Sequence, residues 1–240
     1  RQFVLGEGIG NAMARAKVEE GQGFTYSYDM LGEAAKTEAD ARGYLASYAQ
    51  AIEQIATAAT HADIRENPGI SVKLSALYPR YETPQKADVM AVLQPRLLQL
   101  CQQAAAAQVG LNIDAEEADR RDLSLDIIEA TLSDESLKGW DGFGVVVQAY
   151  GHRASFVIDW LHALALKHDR KIMVRLVKGA YWDTEVKRAQ VLGLSGFPVF
   201  THKPATDISY IANARKLLGM PDRIYPQFAT HNAHTVAAIL

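Results

Sequence analysis

Apolar and polar positions along this chain follow two rhythms. Short apolar runs of strand length recur at residues 24–30, 70–76, 110–115, 143–150, 171–178, 199–201 and 224–230. The stretches between them, at 32–61, 86–108, 116–132, 154–168, 184–192 and 206–218, carry apolar residues at the three- and four-residue spacing of amphipathic helices. A further helix is predicted at 10–20, ahead of the first strand. No low-complexity tract and no Pro/Gly/Ser linker divides the chain. A β–α unit recurring roughly every 30 residues predicts parallel strands joined by helical crossovers.

The pattern inside the strands chooses between two parallel architectures. Central strands of an open doubly wound sheet are apolar on both faces, because helices cover both. Here the faces differ, since side chains two apart share a face. Thr25, Ser27 and Asp29 share one face of the first strand, and Ser71, Lys73 and Ser75 one face of the second. Asn112 and Asp114 do so in the third, Arg175 in the fifth and Gln227 in the seventh. An oily face toward helices and a polar face turned inward describe a closed barrel, whose chemistry gathers at the C-terminal mouth. The expected fold is therefore α/β, a (βα)8 TIM-like barrel, with the eighth βα unit lacking within these residues. Residues 1–20 form a leading helical segment and 21–240 the C-terminally incomplete barrel. Unpaired edges beside the first and seventh strands would make residues 1–240 alone prone to aggregate.

Composition narrows the function classes. A formal net charge of -3 argues against general contact with nucleic acid or an anionic membrane. No apolar run is long enough to span a bilayer. The single cysteine, Cys101, precludes an internal disulfide and a cysteine metal cluster. It lies among Leu98, Leu100 and Ala104 in a helical pattern and reads as a buried structural thiol. No carboxylate or cysteine stands at ligand spacing beside His202 or His231, so no metal is expected.

Candidate chemistry collects on the polar faces. Lys73, Asp114, Gln148 and Arg175 all fall there, and all but Lys73 lie near a strand's C-terminal end. Arg175 interrupts a buried strand, Met173-Val174-Arg175-Leu176-Val177, and a buried charge without a partner is costly. Closure of the barrel would make Asp114 its near-neighbour, and a charged partner keeps both groups ionised. Such a guanidinium can donate to an atom on which negative charge develops. Gly179-Ala180 allows close approach of a ligand, with Tyr181-Trp182 adding aromatic surface beside it. Thr201-His202-Lys203-Pro204 and Thr230-His231-Asn232 end the sixth and seventh strands, where barrels often bind phosphate. These features alone describe a barrel enzyme with an anionic ligand. They leave open a Schiff-base aldolase-type barrel using Lys73 or Lys178, and a non-catalytic barrel that binds a partner.

Seven motifs, in order along nearly the whole chain, carry a resemblance. They are Tyr28-Asp29-Met30-Leu31-Gly32-Glu33-Ala34, Ser71-Val72-Lys73-Leu74-Ser75-Ala76-Leu77, Asn112-Ile113-Asp114-Ala115-Glu116, Val147-Gln148-Ala149-Tyr150, Arg175-Leu176-Val177-Lys178-Gly179-Ala180-Tyr181-Trp182, Thr201-His202-Lys203 and Ala229-Thr230-His231-Asn232. Together they closely resemble the proline dehydrogenase domain of bacterial bifunctional proline-utilisation flavoproteins. The resemblance implies a distorted barrel holding FAD. It implies oxidation of L-proline to Δ1-pyrroline-5-carboxylate, the first step of proline catabolism, with electrons passed to a membrane quinone. By this likeness Arg175 would lie near flavin N5, with Asp114 and Gln148 lining the isoalloxazine site. Val177, Gly179, Ala180, Tyr181 and Trp182 would hold the flavin and its chain. Thr201, His202, Lys203 and Thr206 would contact the phosphate–adenosine part, with Ala229, Thr230, His231 and Asn232 nearby. Lys73 would pair with the proline carboxylate, and Ala180 and Tyr181 would help wall the substrate. Glu33 resembles a gate residue whose arginine partner, one of an adjacent pair on the last barrel helix, lies past Leu240. The activity is accordingly expected of a parent chain. That parent would be cytoplasmic, or peripheral on the inner membrane, and would carry a pyrroline-5-carboxylate dehydrogenase domain and in some relatives a DNA-binding domain. No nucleic-acid contact is expected from this segment.

Overall fold

The computed structural model describes residues 4–30, 32 and 34–240. It is α/β, and its six strands lie in a sheet in chain order, β1-β2-β3-β4-β5-β6. Strand order that never reverses is unlike a doubly wound sheet, which turns back at a switch point. Two compact units are formed, Arg1–Asp114 with Leu123–Phe143, and Ala115–Asp122 with Gly144–Leu240.

The first unit begins with α1 (Ile9–Glu20) and β1 (Ser27–Asp29), followed by α2 (Glu38–Ala56). Thr37 starts α2 with a capping box: its hydroxyl accepts from the Asp40 N–H at 3.1 Å, and the Asp40 carboxylate accepts from the Thr37 N–H at 2.9 Å. Next come β2 (Gly69–Val72), the short α3 (Leu74–Leu77), α4 (Lys86–Ala106), β3 (Gly110–Ile113) and α5 (Arg121–Leu132, its first two residues in the other unit). β1 and β3 flank β2 in parallel, with Asp29 opposite Ser71 and Ser71 opposite Asn112. Gly69 faces Gly110, and a Cβ on Gly69 would come 2.9 Å from the Gly110 carbonyl oxygen. The core gathers Tyr48, Ile52 and Ile55 from α2 with Leu93, Leu97, Leu100 and Cys101 from α4, all fully buried. Ile70, Val72, Leu111 and Ile113 contribute from the strands.

The second unit contains β4 (Phe143–Gln148, its first residue in the other unit), α6 (Ala154–Lys167), β5 (Ile172–Val177), α7 (Trp182–Val191), α8 (Lys203–Leu218), β6 (Ile224–Phe228) and α9 (Ala233–Ile239). β4, β5 and β6 pair in parallel, with Val146 opposite Arg175 and Arg175 opposite Gln227. Val145, Val147, Val174 and Leu176 fill the core with Ile158, Leu161, Tyr210 and Leu217 from the helices. The Tyr210 hydroxyl, donating toward the carbonyl oxygens of Leu176 and Ala229 at 3.3 Å, ties α8 to the strand ends.

The structure corrects several expectations. Residues 199–201 form no strand: Val199 makes a single antiparallel bridge with Gly151, and Phe200 N–H donates to the Tyr150 carbonyl. Pro198 removes a backbone donor just ahead of this run, and three residues leave little ladder to form. The strand at 224 therefore pairs directly with β5, and the expected seven strands become six among the described residues. The run at 70–76 stops at Val72 because the Ala76 N–H turns back to the Lys73 carbonyl and α3 begins. Ser75 thus leaves the polar strand face, and Lys73 stands at a strand end instead of within it. The helix expected from 32 starts only at Glu38, where the capping box sets its entry. The short helix at 74–77 has no counterpart in the periodicity, since it is barely one turn long.

Candidate active site

Three polar clusters stand at the C-terminal ends of strands. The first belongs to the Arg1–Asp114 unit. Lys73 follows β2, and its ammonium donates to both Asp29 oxygens at 3.0 and 3.1 Å and to Asp114 Oδ2 at 2.9 Å. The two carboxylates come from the neighbouring strands, Asp29 ending β1 and Asp114 following β3. The Asp114 N–H donates to the Val72 carbonyl, which continues the ladder and fixes that side chain beside Lys73. The Lys73 N–H donates to the hydroxyl of buried Tyr48 at 3.3 Å. Burial works against the Lys73 charge, but Asp114 and then Asp29 outweigh it and hold its pKa above that of an ordinary lysine. The Tyr48 hydroxyl is pushed up to about 12, chiefly by burial. Lys73 is a fixed ammonium with two anionic partners, where the sequence showed only an isolated cation.

The second cluster surrounds the end of β5. Arg175 Nε donates to Gln227 Oε1 at 3.3 Å, which ties this half-buried side chain across to β6. Gln148, at the end of β4, bridges two segments: its Nε2 donates to the Glu116 carbonyl at 2.9 Å, and its Oε1 accepts from the Ala180 N–H at 3.3 Å. Gln148 and Ala180 are thereby brought together as expected.

The third cluster lies beyond β5 and at the start of α8. Gly179 takes φ +136°, and a Cβ there would sit 2.3 Å from the Tyr150 ring. Only glycine combines that backbone with that approach. The Trp182 indole N–H donates to the Phe200 carbonyl at 2.8 Å, leaving much of the ring exposed. Lys178 and Lys203 both bind Asp207, at 2.5 and 2.7 Å, and the two lysines hold that carboxyl below its usual range. The N-cap residue of α8, His202, makes no side-chain cap, and Thr201, His202 and Lys203 are exposed. Lys178 and Lys203 bring positive charge to this helix start, where Pro204 supplies no N–H and the Ala205 N–H donates to the His202 carbonyl. Thr206 is buried in the first turn, whereas Ala229, His231 and Asn232 are exposed and Thr230 is partly so. The Asn232 side chain is engaged in capping Thr235 at the start of α9. Glu33 lies outside the described residues.

Asp29, Asp207, Glu185 and Tyr48 escaped the sequence reading. Asp207 had a legible signal, since it follows Lys203 by four residues on a helix. Asp29 had a weaker one, the polar face of the first strand. Nothing local marks Glu185, whose buried carboxylate accepts from the Ala118 N–H at 2.6 Å.

Residues 12–240 match the family described as Proline dehydrogenase. The chain is 57% identical over 238 residues to "Bifunctional protein PutA" of Klebsiella aerogenes, which covers 99% of this chain and 18% of that one. A solved Bradyrhizobium japonicum proline utilization A variant superposes with a TM-score of 0.92 at 60% identity, over 99% of this chain and 24% of that chain. A Bdellovibrio bacteriovorus proline utilization A inactivated by N-propargylglycine gives 0.91 at 30% identity, over 99% of this chain and 26% of that chain. The chain thus spans about a fifth of the length of the curated relatives it matches.

Proposed function

The chain belongs to the proline dehydrogenase family, and we propose that it carries the site for oxidising L-proline to Δ1-pyrroline-5-carboxylate with FAD. The observation that supports this most is Lys73, a cation whose charge is fixed by two carboxylates at a strand end. A permanent ammonium there suits the carboxylate of an amino acid. The same observation disfavours the Schiff-base alternative, which needs a lysine made neutral by a lowered pKa. Lys178 is no better placed for it, because Asp207 engages its ammonium.

The residues present fit a flavin dinucleotide. Gly179 leaves no room for a Cβ beside Tyr150, so the backbone after β5 is kept bare for close approach. The positive charge of Lys178 and Lys203 at the start of α8 suits the phosphates. FAD, when bound, would accept the hydride that leaves the proline ring, both electrons travelling with it, while the amine loses a proton. In this reading Arg175, steadied by Gln227, opposes negative charge as it develops. Asp114 and Gln148 flank the ring system, and Val177, Gly179, Ala180, Tyr181 and Trp182 hold it. Thr201, His202, Lys203 and Thr206 take the phosphate–adenosine end, with Ala229, Thr230, His231 and Asn232 beside it. Lys73 orients the substrate carboxylate, Ala180 and Tyr181 wall the proline ring, and Glu33 gates entry.

The rest of the reading concerns the parent chain. It would pass electrons to a membrane quinone from a cytoplasmic or peripheral membrane position, and carry a pyrroline-5-carboxylate dehydrogenase domain. Among the described residues no helix is long and apolar enough to cross a membrane. The test is an anaerobic visible spectrum of the full-length protein. A yellow protein whose flavin band bleaches on adding L-proline, with a pyrroline product trapped, is expected. A colourless protein, or a band indifferent to proline, overturns the proposal.

A further inference from the structure

Two carboxylates converge on the Lys73 ammonium. Three carboxylate oxygens lie within 3.1 Å of a group with three N–H donors. A substrate carboxylate can bind that ammonium only if one aspartate lets go. The two aspartates differ in how easily they do so. The Asp114 side chain is 19% exposed, and its backbone is pinned to β2 through the Val72 carbonyl. The Asp29 side chain is 50% exposed and ends a strand of three residues. A carboxylate released toward water regains its hydration, and Asp29 is the more exposed of the two.

We propose that Asp29 is an internal stand-in for the substrate carboxylate, holding the Lys73 ammonium until an anionic ligand displaces it. Asp114 stays in place and keeps the ammonium positioned during the exchange. Asp29 is then a specificity-determining residue. It raises the threshold for weak anions and leaves the site to ligands that supply further contacts of their own. This inference rests on the reading of Lys73 as the carboxylate holder.

The test uses the full-length, flavin-loaded protein and calorimetric titration with cyclopentanecarboxylate and with cyclopentanecarboxamide. In Asp29→Asn the carboxylate should bind roughly two- to fivefold tighter, toward the upper range of an exposed ion pair removed from competition. Binding of the neutral amide should not change, and the KM for proline should fall. Asp29→Ser repeats the measurement if circular dichroism shows the asparagine variant misfolded. Carboxylate binding that is unchanged or weaker in both variants overturns the proposal. Lys73→Met separates the two readings. If it loses carboxylate binding while the Asp29 variants show no tightening, only the stand-in role falls. If it binds carboxylate as the wild type does, the carboxylate-holding role of Lys73 falls, and the stand-in role with it.

Discussion

At the scale of single residues, charge placement governs this protein. Arg175 sits in mid-strand, and its Nε donates to Gln227 on the neighbouring strand. Replacing it with methionine should slow flavin reduction by proline in the full-length protein about a hundredfold, near 3 kcal/mol for a lost donor. Carboxylate binding should stay within about twofold of wild type. Stopped-flow reduction at the wild-type rate would exclude the role. Glu185 offers a pH test. Burial, with Asp119 and Glu117 adding to it, raises the Glu185 pKa against the opposing Ala118 N–H. A carboxyl whose folded pKa exceeds its unfolded value destabilises the fold when ionised. That penalty is absent below about pH 4.3 and grows as pH rises through the folded pKa. Glutamine keeps the oxygen that accepts from Ala118. Glu185→Gln should therefore melt at a higher temperature than wild type at pH 7, and the two should converge toward about pH 4. A variant less stable at pH 7 would show that the carboxylate contributes more than its cap.

At the scale of elements, backbone constraints decide where strands and helices stop. Gly179 links β5 to α7 with a positive φ, and the Tyr150 ring lies where a Cβ would go. Gly179→Ala should destabilise the protein by about 1–3 kcal/mol, the usual cost of such strain. It should also lower the ratio of flavin to protein absorbance on purification, and urea unfolding gives the stability term. Unchanged flavin content would separate this turn from cofactor binding. Helices with long apolar stripes, such as α4 and α6, were legible because burial at three- and four-residue spacing repeats over several turns. The start of α2 was written in Thr37 and Asp40, yet the apolar pattern ran past it toward residue 32. Residues 199–201 look like a strand by composition alone. Val199 and Phe200 instead satisfy their backbone against the turn after β4, a partner that no local pattern reveals.

At the scale of the whole molecule, burial of Cys101 gives a handle on unfolding. The thiol is fully buried in α4, and desolvation raises its pKa, so the reactive thiolate is scarce. As the single cysteine of the 240 residues, it reports on the Arg1–Asp114 unit. Labelling of Cys101 by a thiol reagent in the full-length protein, read by peptide mass spectrometry, should be slow in native buffer. With increasing urea it should accelerate along the same curve as loss of far-UV circular dichroism. Rapid labelling of folded protein would mean that α4 opens locally without global unfolding.

The sequence by itself determined the alternation of strands and helices, the polar strand faces and most of the residues in the three clusters. Those features repeat at short range, and periods of two and 3.6 residues survive in the chain as written. Tertiary structure alone decided who pairs with whom. Lys73 meets Asp29 from 44 residues away and Asp114 from 41, because β1 and β3 flank β2 in parallel register. Arg175 meets Gln227 across 52 residues because β5 pairs with the strand at 224 and not with residues 199–201. Ionic partners of this kind are fixed by strand register, which depends on every packed neighbour at once and leaves no period in the sequence.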